Sequence, residues 1–348
     1  KKIFQSLNYI LNRKKINNVI IGYDTRSSRK YIIDVIIKNL TSIKKLEILK
    51  QTISTPGLQY ISKKRKAYGI MITASHFSHQ YNGFKFFLLG KKINKSFERS
   101  IQENLNKYMV VKRYNKKIIK INDNVYFNYI NKKFNFSINA NVLVDCANGS
   151  AAGFYKKIKF LKNLHFVNTS YLKNKINHKC GSNFLNKNLK KSNYQKKDFC
   201  IAYDGDVDRV AISEKKYGVI EAEKMALIFV KYLSKKKKIK SITTTEIANP
   251  WLTEKLKSKN IKLYFSKVGD RNVINLKKKT KSSLGFETSG HFCFDNFMDG
   301  LYASGLFLEI LKYEPKIIYG VLSQEINYQK KVYALKKKYI KNLQVFLK

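Results

Sequence analysis

The stretch Ile201–Val210, IAYDGDVDRV, places Asp204, Asp206 and Asp208 on alternate positions within five residues. Carboxylates this close raise one another's pKa unless a cation lies among them. The chain has only 23 acidic residues against 70 basic ones, so such a cluster calls for a cause. The apolar lead-in Ile201–Tyr203 and exit Val210–Ile212 predict a buried strand running into a tight turn at Gly205, with the three carboxylates projecting from one strand end or loop. A solvated acidic turn would use the same residue types. The rest of the chain has to decide between the two.

A second stretch, TASHFSHQYNGFK at 73–85, follows another apolar run. Ser75 at a strand exit is placed as an exposed oxygen nucleophile, and Lys85 can return to the same site across the turn at Asn82-Gly83. Together with DGDVDR this spells phosphoryl chemistry. Carboxylates hold a divalent ion beside an oxygen nucleophile, and arginine or lysine neutralises the charge that develops. His76 and His79 read as donors that shape the loop.

These stretches must be positioned by regular elements, and apolar β-type runs alternate with segments of helical spacing along the chain. Val19–Gly22, Lys45–Leu49 and Tyr68–Thr73 read as strands, with helices over Arg29–Leu40 and Thr55–Lys63, the latter opened by Pro56. Strands at Asn141–Asp145, Leu164–Val167 and Ile201–Tyr203 begin the cycle again, with a helix expected from Ala151. A third cycle has strands at Ile239–Thr245 and Ile261–Phe265, helices from Pro250 and Asn272, and a strand entering GFETSGHFCF. The expected fold class is therefore α/β: three consecutive α/β domains with mixed, largely parallel sheets, over 1–137, 138–236 and 237–348. Ligands on such sheets bind beyond the carboxyl ends of the strands, where DTRSS, TASHFSHQYNGFK, DCANGS, DGDVDR, KVGDR and GFETSGH all fall.

Composition bounds the partners. At 348 residues the chain suits two or three domains, and its four cysteines contain no C-x-x-C pair, so neither a zinc site nor a disulfide framework is expected. No run is long and apolar enough for a membrane span or signal peptide, which predicts a cytoplasmic protein without a membrane partner. The net charge of +47 suggests nucleic acid, yet only eight of the 70 basic residues are arginine. Lysine spread through every segment, with abundant Asn, Ile, Tyr and Phe, is what an A/T-rich coding sequence produces, so no specific nucleic-acid partner is expected. Against that background a retained arginine suggests a need for its planar fork, as in Asp24-Thr25-Arg26, Asp208-Arg209 and Asp270-Arg271.

In this order TASHFS with YNGFK, DGDVDR and GFETSGH resemble the three signature loops of the α-D-phosphohexomutases, over about residues 18 to 312. VDCANGS (144–150), NHKCGS (177–182) and VGDR (268–271) are most similar to the amino-sugar branch, which interconverts glucosamine 6-phosphate and glucosamine 1-phosphate for cell-wall precursors. The glucose- and mannose-phosphate branches are the alternative, as is a non-catalytic relic of the scaffold. The resemblance implies that Ser75 carries a phosphoryl group, and that Asp204, Asp206 and Asp208 bind Mg²⁺ with a phosphoryl oxygen on Ser75 completing the shell. It implies Lys85 as general acid/base, Arg26 and His76 around the phosphoserine loop, and Arg209 orienting the metal loop. Glu287 and Ser289 would bind sugar hydroxyls, supported by His291 and by Arg271 of the VGDR loop. A sugar bisphosphate such as glucosamine 1,6-bisphosphate would be the activator, a sugar phosphate the substrate, and a homodimer is a possible assembly.

Four departures from the pattern stand out. Phe77-Ser78 replaces the usual Asn-Pro, which removes a rigid φ from the nucleophile loop. No segment matches the family's G-T-x-G-I-R-G, and Glu221-Ala222-Glu223 stands where D-G-D is usual. The R-x-S-G-T-E-P loop of a fourth domain is not found before Lys348, so the expectation is a chain lacking that domain.

Overall fold

A computed structural model of the chain describes residues 1–107, 113–171 and 175–326. The stretch 327–348, expected as an extension of the third domain, lies outside the described residues. In the first unit the order is α1 (Lys2–Arg13), β1 (Asn18–Tyr23), α2 (Arg29–Asn39), β2 (Lys45–Leu49), α3 (Thr55–Lys64) and β3 (Tyr68–Ile72). It continues with β4 (Phe84–Leu88), β5 (Lys91–Lys92), α4 (Lys95–Glu103) and β6 (Lys117–Ile121), and α5 (Val125–Lys133) leads out. The sheet order is β5-β4-β3-β1-β2-β6. β6, β2, β1 and β3 pair in parallel, and β4 returns antiparallel on β3 with Met71 opposite Lys85.

The second unit has β7 (Val142–Asp145), β8 (His165–Val167), the short helices α6 (Leu185–Asn188) and α7 (Ser192–Gln195), β9 (Phe199–Tyr203), β10 (Val210–Glu214) and β11 (Gly218–Val219). Its order is β11-β10-β9-β7-β8. The long helix α8 (Ala222–Lys236) connects to β12 (Ser241–Thr245), α9 (Pro250–Lys257), β13 (Lys262–Ser266), α10 (Asp270–Lys279), β14 (Leu284–Phe286) and β15 (Phe292–Cys293), ordered β13-β12-β14-β15. α11 (Gly300–Tyr313) and α12 (Pro315–Leu322) follow. The architecture is thus three mixed, mostly parallel sheets. Among the described residues no helix is long and apolar enough to cross a membrane.

A repeated device places the chemistry. In each unit a strand with a parallel neighbour ends, a motif loop follows, and an antiparallel strand returns beside it: β3 to β4, β9 to β10, and β14 to β15. The three hairpin loops are TASHFSHQYNG, DGDVDR and ETSGH. Tyr203, Val207, Phe229, Trp251, Phe286 and Leu301 belong to one buried apolar cluster that runs through the units and fixes how the loops face one another.

Two local expectations differ from the structure. In place of a helix from Ala151 there are three short 3₁₀ turns, Ser150–Gly153, Tyr155–Lys157 and Lys159–Leu161. A Cβ on Gly153 would stand 2.1 Å from Thr52 Oγ1 of the first unit and 2.2 Å from Tyr171 Oη of the second, so the segment is closely packed on both sides here. α10 starts at Asp270, a half-turn before Asn272, because Gly269 at φ +125° breaks the chain immediately ahead of it. All four cysteines are free and buried, as small apolar residues would be.

Candidate active site

Ser75 is buried among the loops and not exposed as expected, and it sits in the left-handed region at φ +51°, its amide donating to Thr73 Oγ1 at 2.9 Å. A cage of donors gathers the carbonyls of its loop. Arg26 is fully buried, tied by Nε to Asp24 Oδ2 at 3.0 Å. Its remaining nitrogens donate to the carbonyls of Ser75 at 3.1 Å, Phe77 at 2.9 Å, Tyr81 at 2.9 Å, and Ser78. From the second unit Asn177 Nδ2 donates to the Ser75 and Phe77 carbonyls at 2.7 and 2.9 Å. Without the family's proline, these two side chains determine the path of the loop. The Phe77 ring lies outward, 53% exposed, stacked on His76 at 4.6 Å between centroids.

The metal-type loop faces this cage. Ser75 Oγ donates to Asp204 Oδ2 at 2.8 Å, and Lys85 Nζ reaches Asp206 Oδ2 at 2.7 Å and Asp208 Oδ2 at 2.6 Å. All three carboxylates are buried, and one oxygen from each lies within 4.8 Å of the others. Burial, then the charges of Asp208 and Asp206, push Asp204 up to about 8. Burial acts the same way on Asp208, but Lys85 and His291 outweigh it and hold that carboxyl well below the usual range. Burial also works against the Lys85 charge, yet Asp206 and Asp208 raise its pKa and keep it an ammonium. Asp206 Oδ1 is buried with no hydrogen-bond partner. A buried, unsatisfied carboxylate oxygen beside two more carboxylates fits a hard divalent cation, so this donor set could hold one.

Arg209 knits the loops. Its amide donates to Asp204 Oδ1 at 3.3 Å, Nη2 is 2.7 Å from His76 Nδ1, and Nε is 3.2 Å from His291 Nε2. Burial and then Arg209 lower the His76 pKa, so this imidazole is neutral and accepts. His291 is buried between two carboxylates, with Nδ1 3.0 Å from Glu287 Oε2 and Nε2 3.4 Å from Asp208 Oδ1. Burial opposes its charge, but Asp208 and Glu287 prevail and raise it to about 9. Ser289 Oγ lies 2.9 Å from His291 Nδ1, and Glu287 Oε1 accepts the Gly269 amide at 2.9 Å.

The structure therefore brings together Ser75, His76, Lys85, Arg26, Asp204, Asp206, Asp208, Arg209, Glu287, Ser289 and His291. Arg271 stands apart, its guanidinium forked on Glu98 of the first unit at 2.5 and 3.1 Å. Three contributors were not singled out from sequence. Asn177 lies in NHKCGS, a stretch with no local signal of the distant loop it braces. Thr55 donates its hydroxyl to Asp206 Oδ2 and its amide to the Asp206 carbonyl at 2.9 Å, although at the start of a helix it reads as part of a cap. Glu98 sits in the first turn of α4 with no local signal of a distant partner.

Three α/β units, a serine on a left-handed strand exit and an acidic loop packed against it define a phosphohexomutase. The chain belongs to the phosphoglucomutase/phosphomannomutase family, whose α/β/α domain I matches residues 1–111 and domain III residues 221–328. As a member of the α-D-phosphohexomutase superfamily it is an intramolecular phosphotransferase. It is 34% identical to a phosphoglucosamine mutase of Dictyoglomus turgidum over 318 residues, 86% of this chain and 70% of the relative. It is 32% identical to a phosphoglucosamine mutase of Fusobacterium nucleatum over 332 residues, 90% of this chain and 73% of the relative. Its fold is that of a phosphoglucomutase/phosphomannomutase family protein from Burkholderia thailandensis, with TM-score 0.79 at 20% identity, covering 92% of this chain and 74% of the other. The Paramecium phosphoglucomutase parafusin gives 0.74 at 18% identity, covering 93% and 70%.

Proposed function

We propose that this protein is a phosphoglucosamine mutase, interconverting glucosamine 6-phosphate and glucosamine 1-phosphate through a phosphoserine at Ser75 and a sugar bisphosphate. The observation that carries this reading is the placement of Ser75 Oγ 2.8 Å from Asp204 Oδ2, beside two further buried carboxylates and a part-buried ammonium, Lys85. The relatives at 32% and 34% identity, both phosphoglucosamine mutases, support the choice of sugar. Glucosamine 1,6-bisphosphate would load the serine.

In the forward transfer a sugar hydroxyl oxygen forms a bond to phosphorus while the bond from phosphorus to Ser75 Oγ breaks. The hydroxyl proton passes to Lys85 Nζ, which gives its own proton to Ser75 Oγ as that oxygen departs with the electron pair. The second transfer reverses these steps with the other phosphate of the bisphosphate. Mg²⁺ held by Asp204, Asp206 and Asp208 would supply stabilisation of charge on the phosphoryl oxygens. Arg26 and Asn177 hold the backbone of the nucleophile loop, so Oγ meets the donor without reorganising. Lys85 is an ammonium while Asp206 and Asp208 accept from it, and in that form it donates a proton or neutralises charge. It takes the sugar hydroxyl's proton only as its own proton goes to Ser75 Oγ, so the amine ends each transfer as it began. Glu287 and Ser289 face the sugar, with His291 held between Glu287 and Asp208.

The test is intact mass and phosphopeptide mapping after incubation with glucosamine 1,6-bisphosphate and Mg²⁺, alongside coupled assays on three hexose phosphates. One phosphoryl group on Ser75, none in Ser75→Ala, and preference for glucosamine 6-phosphate are expected. Label elsewhere, or mannose 1-phosphate as the better substrate, would refute it.

A further inference from the structure

We propose that Lys92 and Glu98 of the first unit are positioning residues for the sugar-facing loop of the third, which they reach through Asp270 and Arg271. This deepens, and rests on, the phosphohexosamine reading of the site. The contacts are direct. Lys92 Nζ lies 2.9 Å from both carboxylate oxygens of Asp270, and Glu98 receives the Arg271 guanidinium as a two-pronged fork, Nη2 to Oε1 at 2.5 Å and Nη1 to Oε2 at 3.1 Å.

The two pairs are opposite in sense. Lys92 and Glu98 on one side meet Asp270 and Arg271 on the other, so sliding either unit by one partner would bring like charges together. Such a pattern specifies one register of the units. The Arg271–Glu98 pair is two-pronged but part-exposed, at 20% and 44%, so its worth lies in geometry more than in stability.

From this contact a short chain of bonds leads to the chemistry. Asp270 Oδ1 accepts the Arg271 amide at 2.7 Å, and the neighbouring Gly269, at φ +125°, donates its amide to Glu287 Oε1 at 2.9 Å. Glu287 Oε2 faces His291, which faces Asp208, which accepts from Lys85. The ring then closes through the β4–β5 hairpin. Lys85 lies on β4 and Lys92 on β5, with Phe87 opposite Lys92. One hairpin therefore holds the acidic loop by Lys85 and the third unit by Lys92. A displacement of Gly269 would release one oxygen of Glu287, the residue assigned to the sugar.

The experiment combines hydrogen exchange of the amides of residues 267–272 with steady-state kinetics on glucosamine 6-phosphate, in the full chain and in Glu98→Gln, Lys92→Met and Glu98→Asp. Exchange in Glu98→Gln should quicken by about threefold or more, and KM should rise about tenfold with kcat within about twofold, because positioning of bound sugar is what is lost. Glu98→Asp should recover part of the KM, as should the exchanged pair Glu98→Arg with Arg271→Glu. Unchanged exchange in both Glu98→Gln and Lys92→Met would overturn the proposal, as would a fall in kcat with KM unmoved. Should the wild type turn over no hexosamine phosphate, the functional reading fails, while the exchange rates still decide whether these residues hold the loop. Lys92→Met serves if Glu98→Gln does not fold.

Discussion

Ser75 Oγ and Asp204 Oδ2 are 2.8 Å apart although 129 positions separate them in the chain. The contact joins the exit of β3 to the exit of β9, and it is possible only because the backbones behind it also touch. A Cβ placed on Gly205 would stand 2.5 Å from the Ser75 carbonyl oxygen.

Gly205→Ala should therefore separate the two loops. The nearest clash is with the Ser75 carbonyl, which is backbone and cannot swing aside, and Asn177 Nδ2 at 2.8 Å is tied to the Ser75 and Phe77 carbonyls. Overpacking of this kind costs about 1–3 kcal/mol. We expect that loss in urea unfolding, with phosphorylation of Ser75 slowed by about a hundredfold, in line with an ångström-scale misplacement. A variant that labels at the wild-type rate would show that the contact is dispensable.

Arg26→Lys should remove the cage around the nucleophile while keeping the charge. One ammonium cannot serve Asp24 and the four carbonyls that the guanidinium reaches. Both Arg26 and Asp24 side chains are fully buried. Removing the partner outright, in Arg26→Ala, leaves an uncompensated buried carboxylate at about 3–5 kcal/mol. Chemical denaturation of both variants orders them: wild type, then lysine, then alanine.

Asp206→Asn should abolish stabilisation by Mg²⁺. The wild type is expected to gain about 2.7 kcal/mol at a cation concentration a hundred times Kd. The unpartnered Asp206 Oδ1 is the atom that motivates this choice. Thermal melts with and without millimolar Mg²⁺ check it, and an equal shift in the variant would refute the assignment.

Stability should fall as pH rises from about 4 to 7, partly through Asp299. This side chain caps α11, accepting the Tyr302 amide at 2.9 Å, and both its oxygens accept from Tyr126 Oη. Burial raises its pKa to about 7 in spite of those donors. Because the folded value exceeds the unfolded one near 3.9, its contribution is complete below pH 4 and is lost as pH climbs through 7. Asp299→Asn keeps a good cap and should flatten that slope in denaturation at stepped pH. An unchanged slope would assign the pH dependence elsewhere.

What the chain determined locally is substantial. Strand-length apolar runs and the polar turns after them located β1 to β3, β7, β9 and β12, and with them TASHFSHQYNGFK and DGDVDR, because alternation and turn chemistry act over a few residues. The clustering of Asp204, Asp206 and Asp208, against 70 basic residues, already called for a cation. Packing decided the rest. Ser150–Leu161 forms 3₁₀ turns, with Gly153 packed between Thr52 and Tyr171, contacts that no local spacing records. Thr55, Asn177 and Glu98 join the site or its supports across separations of 151, 102 and 173 residues. Arg271, expected from its motif to support the sugar-facing loop, has its guanidinium held by Glu98, a partner its motif does not reveal. A side chain's partner across such distances depends on how whole units dock, and docking is set by a buried apolar surface that no short window of sequence contains.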